Sequence, residues 1–168
     1  MGSFGKQMPG NRPGGGGGFN RPHGGPSGPA PLHPKPVKYF SSEGVPDARL
    51  LDEEAEKLAQ DLAAKLAPTQ LRRFFEDVLV LRRRLEHETI NRGESQEAVF
   101  QRLLPEFKML KAKAYYAKKR LKDKFPEQLL QFFVDHTAAV KTAADFGVFC
   151  KHFEAVVAFH RYYGKDSN

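Results

Sequence analysis

The chain has 168 residues, a formal charge of +7 and a single cysteine, which is the length of one domain. One cysteine rules out an intramolecular disulfide framework and any multi-cysteine metal site, and it points to a reducing cytoplasm. No apolar run approaches membrane-spanning length, and the N-terminus lacks the apolar stretch of a secretory signal, so a soluble protein with no membrane partner is expected.

From Met1 to Lys38, nineteen of thirty-eight residues are Gly or Pro, and apolar side chains are nearly absent. Such a segment cannot bury enough apolar surface to offset the entropy of ordering it. Residues 1–38 therefore read as a disordered, basic, Gly/Pro-rich arm, and residues 39–168 as the folded domain. The arm holds Lys6, Arg12, Arg21, Lys35 and Lys38 with no acid, which leaves the folded part at only +2. Its basic character must come from clustering. Arginines and Phe19 among glycines resemble RNA-associating segments, and a solubilising linker explains them equally well.

The helical pattern starts at Asp47. In "DARLLDEEAEKLAQDLAAKLA", Leu51, Ala55, Leu58, Leu62 and Leu66 recur at three and four, with Asp47 as N-cap and Pro68 as the stop. A second helix starts near Thr69 with the stripe Leu71, Phe74, Val78, Leu81, Leu85 and fades toward "NRGES". The third runs from Ser95 or Gln96 to about Lys124, with Pro105 expected to interrupt it or to mark the restart of a separate segment. Pro126 opens a fourth, whose inward residues are Leu129, Phe132 or Phe133, and Val140. Thr142 and Asp145 form a capping box for a fifth, which carries Phe146, Phe149, Phe153 and Val156 or Val157. The expected fold is all-α, a bundle of about five helices behind the arm.

The stretch "KMLKAKAYYAKKRLKDK", Lys108 to Lys124, holds eight basic side chains against one acid, Asp123. Lysines three or four apart in a helix repel by a few tenths of a kcal/mol per pair, so an external anion is a natural complement. At 100° per residue, Phe107, Leu110, Ala114, Ala117, Leu121 and Phe125 form a core seam. Lys108, Lys111, Tyr115, Lys118, Lys119 and Lys122 flank it on one side, and Lys113, Arg120 and Lys124 on the other.

Three readings compete: a solvated lysine face, a phosphate-binding face, and a contact for an acidic protein. Interleaved tyrosine favours nucleic acid, because rings stack on unpaired bases. Arg72, Arg73 and Arg82 to Arg84 add forks suited to phosphate, although intrahelical pairing with Glu76, Asp77, Glu86 and Glu88 accounts for them as well.

No phosphate-cradling loop, zinc-protease motif or oriented nucleophile is present, and Cys150, His152 and Glu154 do not share one helix face. No active site, metal or cofactor is indicated. The aromatic residues of the last helix suggest more apolar surface than one small bundle buries, so self-association is expected.

Taken in order, "QLRRFFEDV", "LLPEFKMLKAKAYYAKKR" and "FCKHFEAVVAFHRYYG" resemble the small subunit of type III-A CRISPR (Csm) effector complexes. That family shows an LR-aromatic-aromatic helix start, a "KMLKAK" block followed by "YA" and an arginine, and a terminal helix of the "FFEAVVAY" type. The resemblance spans roughly Tyr39 to Gly164. It implies a non-catalytic, RNA-binding subunit of an RNA-guided antiviral complex. Several copies would lie side by side beside other Csm subunits, holding the guide RNA and target RNA duplex by its backbone.

On this resemblance the RNA-binding positions are Arg72 or Arg73, Lys108, Lys111, Lys113, Tyr116 and Arg120. Lys118 and Lys119 stand where smaller residues are usual and are read either as added RNA contacts or as solubilising charges. The Gly/Pro arm is not a family feature. A structural adaptor with only incidental RNA contact is the alternative.

Overall fold

A computed structural model describes residues 29–164. The described residues form an all-α bundle: α1 Ala48–Leu51, α2 Glu53–Ala63, α3 Pro68–Arg92, α4 Gln96–Leu121, α5 Glu127–Ala139 and α6 Ala143–Tyr163, with a 3-10 turn at Lys122–Lys124. The arm's residues 1–28 lie outside the described part.

The first expected helix is broken in two. Asp47 caps α1 through the backbone N–H of Arg49, but Asp52 leaves helical geometry at φ −118° and ψ −94°. The Leu50 carbonyl, which would continue the helix, instead accepts from buried His152 Nδ1. Glu53, Glu54 and Glu56 then crowd the first turn of α2, where acids suit the positive end of the helix. That helix ends at Ala63, and Pro68 starts α3 at its first position instead of stopping the helix before it.

Pro105 does not interrupt α4, which runs unbroken from Gln96 to Leu121. The proline removes the N–H that the Gln101 carbonyl would have taken. Burial of Phe100, Leu103, Phe107 and Leu110 on both sides of it outweighs that loss, since each such side chain contributes about 1.5–3 kcal/mol when fully buried. The helix ends at Lys122, whose φ of +50° is unusual for a residue with a side chain.

The stripe of α3 is buried throughout, as are Leu129, Phe132 and Phe133 of α5. Thr142 and Asp145 make the capping box of α6. That helix lies against α2 and reaches α3 and α4, while α4 is held between α3 and α5. Phenylalanines fill the centre: Phe149 sits with its ring centroid 5.1 Å from Phe107 and 6.0 Å from Phe153, and Phe74 lies 4.8 Å from Phe133.

The compact unit begins at Leu32, earlier than the boundary read at Tyr39. Leu32 and Val37 pack against the core. The backbone N–H of Leu32 donates to Tyr115 Oη (3.2 Å), that of Lys35 donates to Asp135 Oδ1 (2.7 Å), and Gln131 Nε2 donates to the His33 carbonyl (2.9 Å). Two proline rings fix this stretch before it folds, and α4 and α5 supply the partners its backbone needs.

Candidate nucleic-acid interface

The seam on α4 is seated as its periodicity dictates. Phe107, Leu110, Ala114, Ala117 and Phe125 are buried, and Leu121 is half-buried. Its two basic flanks consequently face different neighbours, one toward α3 and the other toward α5.

On the α3 side, Arg73 meets Lys113, Tyr116 and Arg120 around a shallow groove of about 160 Å³. Arg120 lies over the Tyr116 ring, its guanidinium carbon 6.0 Å from the ring centre, and Tyr116 is 68% exposed. A guanidinium held against an exposed ring is oriented for phosphate while leaving a face of the ring available to a base. Lys113 Nζ sits 2.8 Å from Asp77 Oδ2 at the groove's edge. Among the described residues, Arg73 and Arg120 have no ion-pair partner. Arg72 points elsewhere and pairs with Glu76 at 3.2 Å.

On the α5 side the lysines divide. Lys108 Nζ donates to the Thr137 carbonyl, and Lys118 Nζ donates to the Phe125 carbonyl at 2.8 Å, where it braces the turn after α4. Partial burial, followed by the nearby charges of Lys141 and Lys111, holds the Lys108 ammonium below its ordinary pKa. Lys111 and Lys119 are exposed and, among the described residues, without an ion-pair partner.

Of the nine sequence-derived positions, Arg73, Lys113, Tyr116 and Arg120 share one groove, Lys108 and Lys111 lie together on the opposite flank beside Lys118, and Lys119 and Arg72 stand apart from both, Arg72 paired with Glu76. Lys141 joins Lys108 from the segment between α5 and α6. The periodicity of α4 carries no signal for it.

The arginine triplet of α3 is mostly spoken for. Arg82 pairs with Glu86 at 3.1 Å, Arg84 with Glu106 at 2.5 Å, and Arg83 Nε donates to the Leu79 carbonyl. Intrahelical and α3–α4 pairing accounts for these side chains.

The other chemistry-bearing groups are in the core. Burial pushes the Cys150 thiol up to about 12 and holds His136, His152 and His160 below the usual histidine range. His160 is 1% exposed, and its Nε2 has no partner among the described residues. No group of three or more His, Cys, Asp or Glu side chains among the described residues is placed to hold a metal ion. No described helix is long and apolar enough to cross a membrane.

The fold and this surface define a small helical-bundle protein whose outward chemistry is cationic and aromatic. The chain belongs to the Csm2 Type III-A family, whose model matches residues 45–166. It is a Csm2-type small subunit of type III-A CRISPR complexes, and association with other Csm subunits follows from that membership. No curated protein and no solved structure matches it.

Proposed function

We propose that this subunit holds the guide RNA and target RNA of the complex by their backbones, without catalysis, in antiviral defence. The observation that carries the reading is the meeting of Arg73, Lys113, Tyr116 and Arg120 across α3 and α4 around an open groove. Lys108, Lys111, Lys118 and Lys119 extend positive charge along the same helix. Base pairing between guide and target reads sequence in RNA-guided systems, so the protein requires phosphate contacts and shape.

The test is binding of a labelled RNA to the full chain over a range of salt, with Arg73→Ala/Arg120→Ala alongside. Affinity falls steeply with salt in the parent, and the double variant loses about two from the log–log salt slope, roughly one per phosphate contact. Salt-independent affinity would sink the reading.

The adaptor alternative is favoured by one observation. Ile90 and Tyr162 are 79% and 82% exposed, large apolar residues available for packing against other subunits. Apolar packing is insensitive to salt, so the same titration separates the two readings.

A further inference from the structure

An open cavity of about 710 Å³ lies apart from the α3–α4 groove, bounded by residues 35–38 and by α1, α2, α5 and α6. Small-molecule sites run to roughly 300–1,000 Å³, with apolar walls and a few placed polar groups. Val37, Leu58 and Phe132 supply such walls here. Two buried imidazoles, His136 and His152, line the same cavity with their ring centres 5.2 Å apart.

The two rings turn opposite hydrogen-bonding groups toward it. The Leu50 carbonyl only accepts, so His152 Nδ1 carries that ring's proton and its Nε2 is left as an acceptor. The Tyr39 hydroxyl has no other acceptor among the described residues, so it donates to His136 Nδ1, and His136 carries its proton on Nε2. Burial lowers both imidazole pKa values and keeps the rings neutral. Neither Nε2 has a partner among the described residues, and neither is sealed from solvent as His160 Nε2 is. One donor and one acceptor thus stand side by side, each fixed by the bond its own Nδ1 makes.

That pair selects its ligand. A carboxylate offers only acceptors and an ammonium only donors, so each leaves one imidazole unmatched. An edge with an N–H beside a carbonyl or ring nitrogen satisfies both, and nucleobases carry such edges. The rim decides between a nucleobase and a simple amide. Lys35 and Lys38 line the cavity, are exposed and have no ion-pair partner among the described residues. Glu54 and Glu127 are acceptors there, also without an ion pair, of the kind that holds ribose hydroxyls. Asp47 is taken by Arg49, and Asp135 by Gln131 and the Lys35 N–H.

We infer that this cavity is a nucleotide site, in which the base edge bridges His136 Nε2–H and His152 Nε2, the phosphate meets Lys35 and Lys38, and the sugar hydroxyls meet Glu54 or Glu127. It shares no residue with the α3–α4 groove, so it stands or falls separately from the RNA-backbone function proposed above. A free nucleoside monophosphate and an unpaired nucleotide of an RNA strand offer the same chemistry.

The experiment titrates the full chain with adenosine, guanosine, cytidine and uridine monophosphates, with ribose phosphate, and with a short single-stranded RNA. Imidazole nitrogen signals are followed by NMR. At least one monophosphate shifts the His136 and His152 signals and binds about tenfold or more tighter than ribose phosphate, which lacks the base. His152→Asn keeps an N–H for the Leu50 carbonyl and removes the acceptor, and it weakens that nucleotide about tenfold. Lys35→Ala/Lys38→Ala changes only exposed side chains and weakens the monophosphate far more than its nucleoside. RNA that shifts the same imidazoles at lower concentration than the monophosphates makes an unpaired nucleotide the source, and RNA that leaves them unmoved makes it the free nucleotide.

The site is overturned if no monophosphate moves either imidazole, if ribose phosphate binds as tightly as the nucleotides, or if folded His152→Asn binds as the parent does. Should His152→Asn fail to fold, the imidazole shifts and the lysine variant decide the matter.

Discussion

The Tyr39 hydroxyl and His136 Nδ1 lie 2.6 Å apart inside the protein, joining residues 97 positions apart in the chain. Burial raises the phenol's pKa and lowers the imidazole's, so the tyrosine keeps its proton and donates it to the unprotonated nitrogen. The bond fastens the segment from Leu32 to Tyr39 onto α5. Tyr39→Phe leaves that nitrogen buried without a partner, a loss of about 1–3 kcal/mol. Urea unfolding checks this, and a midpoint unchanged from the parent's would remove the bond from the account of stability.

His136, His152 and His160 are each 4% exposed or less, and each has its pKa lowered chiefly by burial. In the unfolded chain these rings bind protons near pH 6.5, and in the folded protein they bind them only at lower pH. Their contribution is therefore fully present above about pH 6.5 and is lost as pH falls through it. The slope approaches about 1.4 kcal/mol per pH unit for each ring that stays neutral in the fold. Denaturant unfolding at several pH values between neutrality and pH 5 measures that slope, and a flat profile would contradict it.

Cys150 is 3% exposed, with its thiol pushed up to about 12. The thiolate is the nucleophile, so alkylation requires the core to open. Iodoacetamide labelling followed by mass spectrometry is slow in buffer and rapid in denaturant, and modification of the native protein at the rate of a free thiol would show that the α6 core is loose.

The stripes of α3, α4, α5 and α6 were legible because burial repeats with the helical period, and Asp47, Thr142 and Asp145 because a cap is a local bond. The break at Asp52 was not legible, since it depends on His152 capturing the Leu50 carbonyl from 102 residues away. Residues 32–38 read as arm because proline-rich composition hides what Tyr115, Gln131 and Asp135 supply from elsewhere. For the candidate interface, periodicity separated the basic flanks of α4. It carried no information about which flank would meet Arg73 and which would meet Lys141, because that depends on how α3 and α5 pack.

Lys122 closes α4 at φ +50° and ψ −118°, a combination that glycine adopts freely and other residues at a cost. Lys122→Gly relieves it and raises stability by about 1 kcal/mol. Thermal unfolding followed by circular dichroism reads the gain, and a lower melting temperature would mean that the lysine side chain contributes more than its backbone costs.

Pro105 is exposed, in the interior of a 26-residue helix, and it leaves the Gln101 carbonyl without its helical donor. Because α4 is continuous on both sides, the seam through Phe100, Phe107 and Leu110 holds the backbone helical against the local preference of the ring. Pro105→Ala restores the N–H and removes the clash with the preceding turn, for a gain of up to about 3 kcal/mol. The exchange is uncharged and small, and the denaturation midpoint rises. If stability fell instead, the proline would be setting a bend that the packing of α4 between α3 and α5 requires.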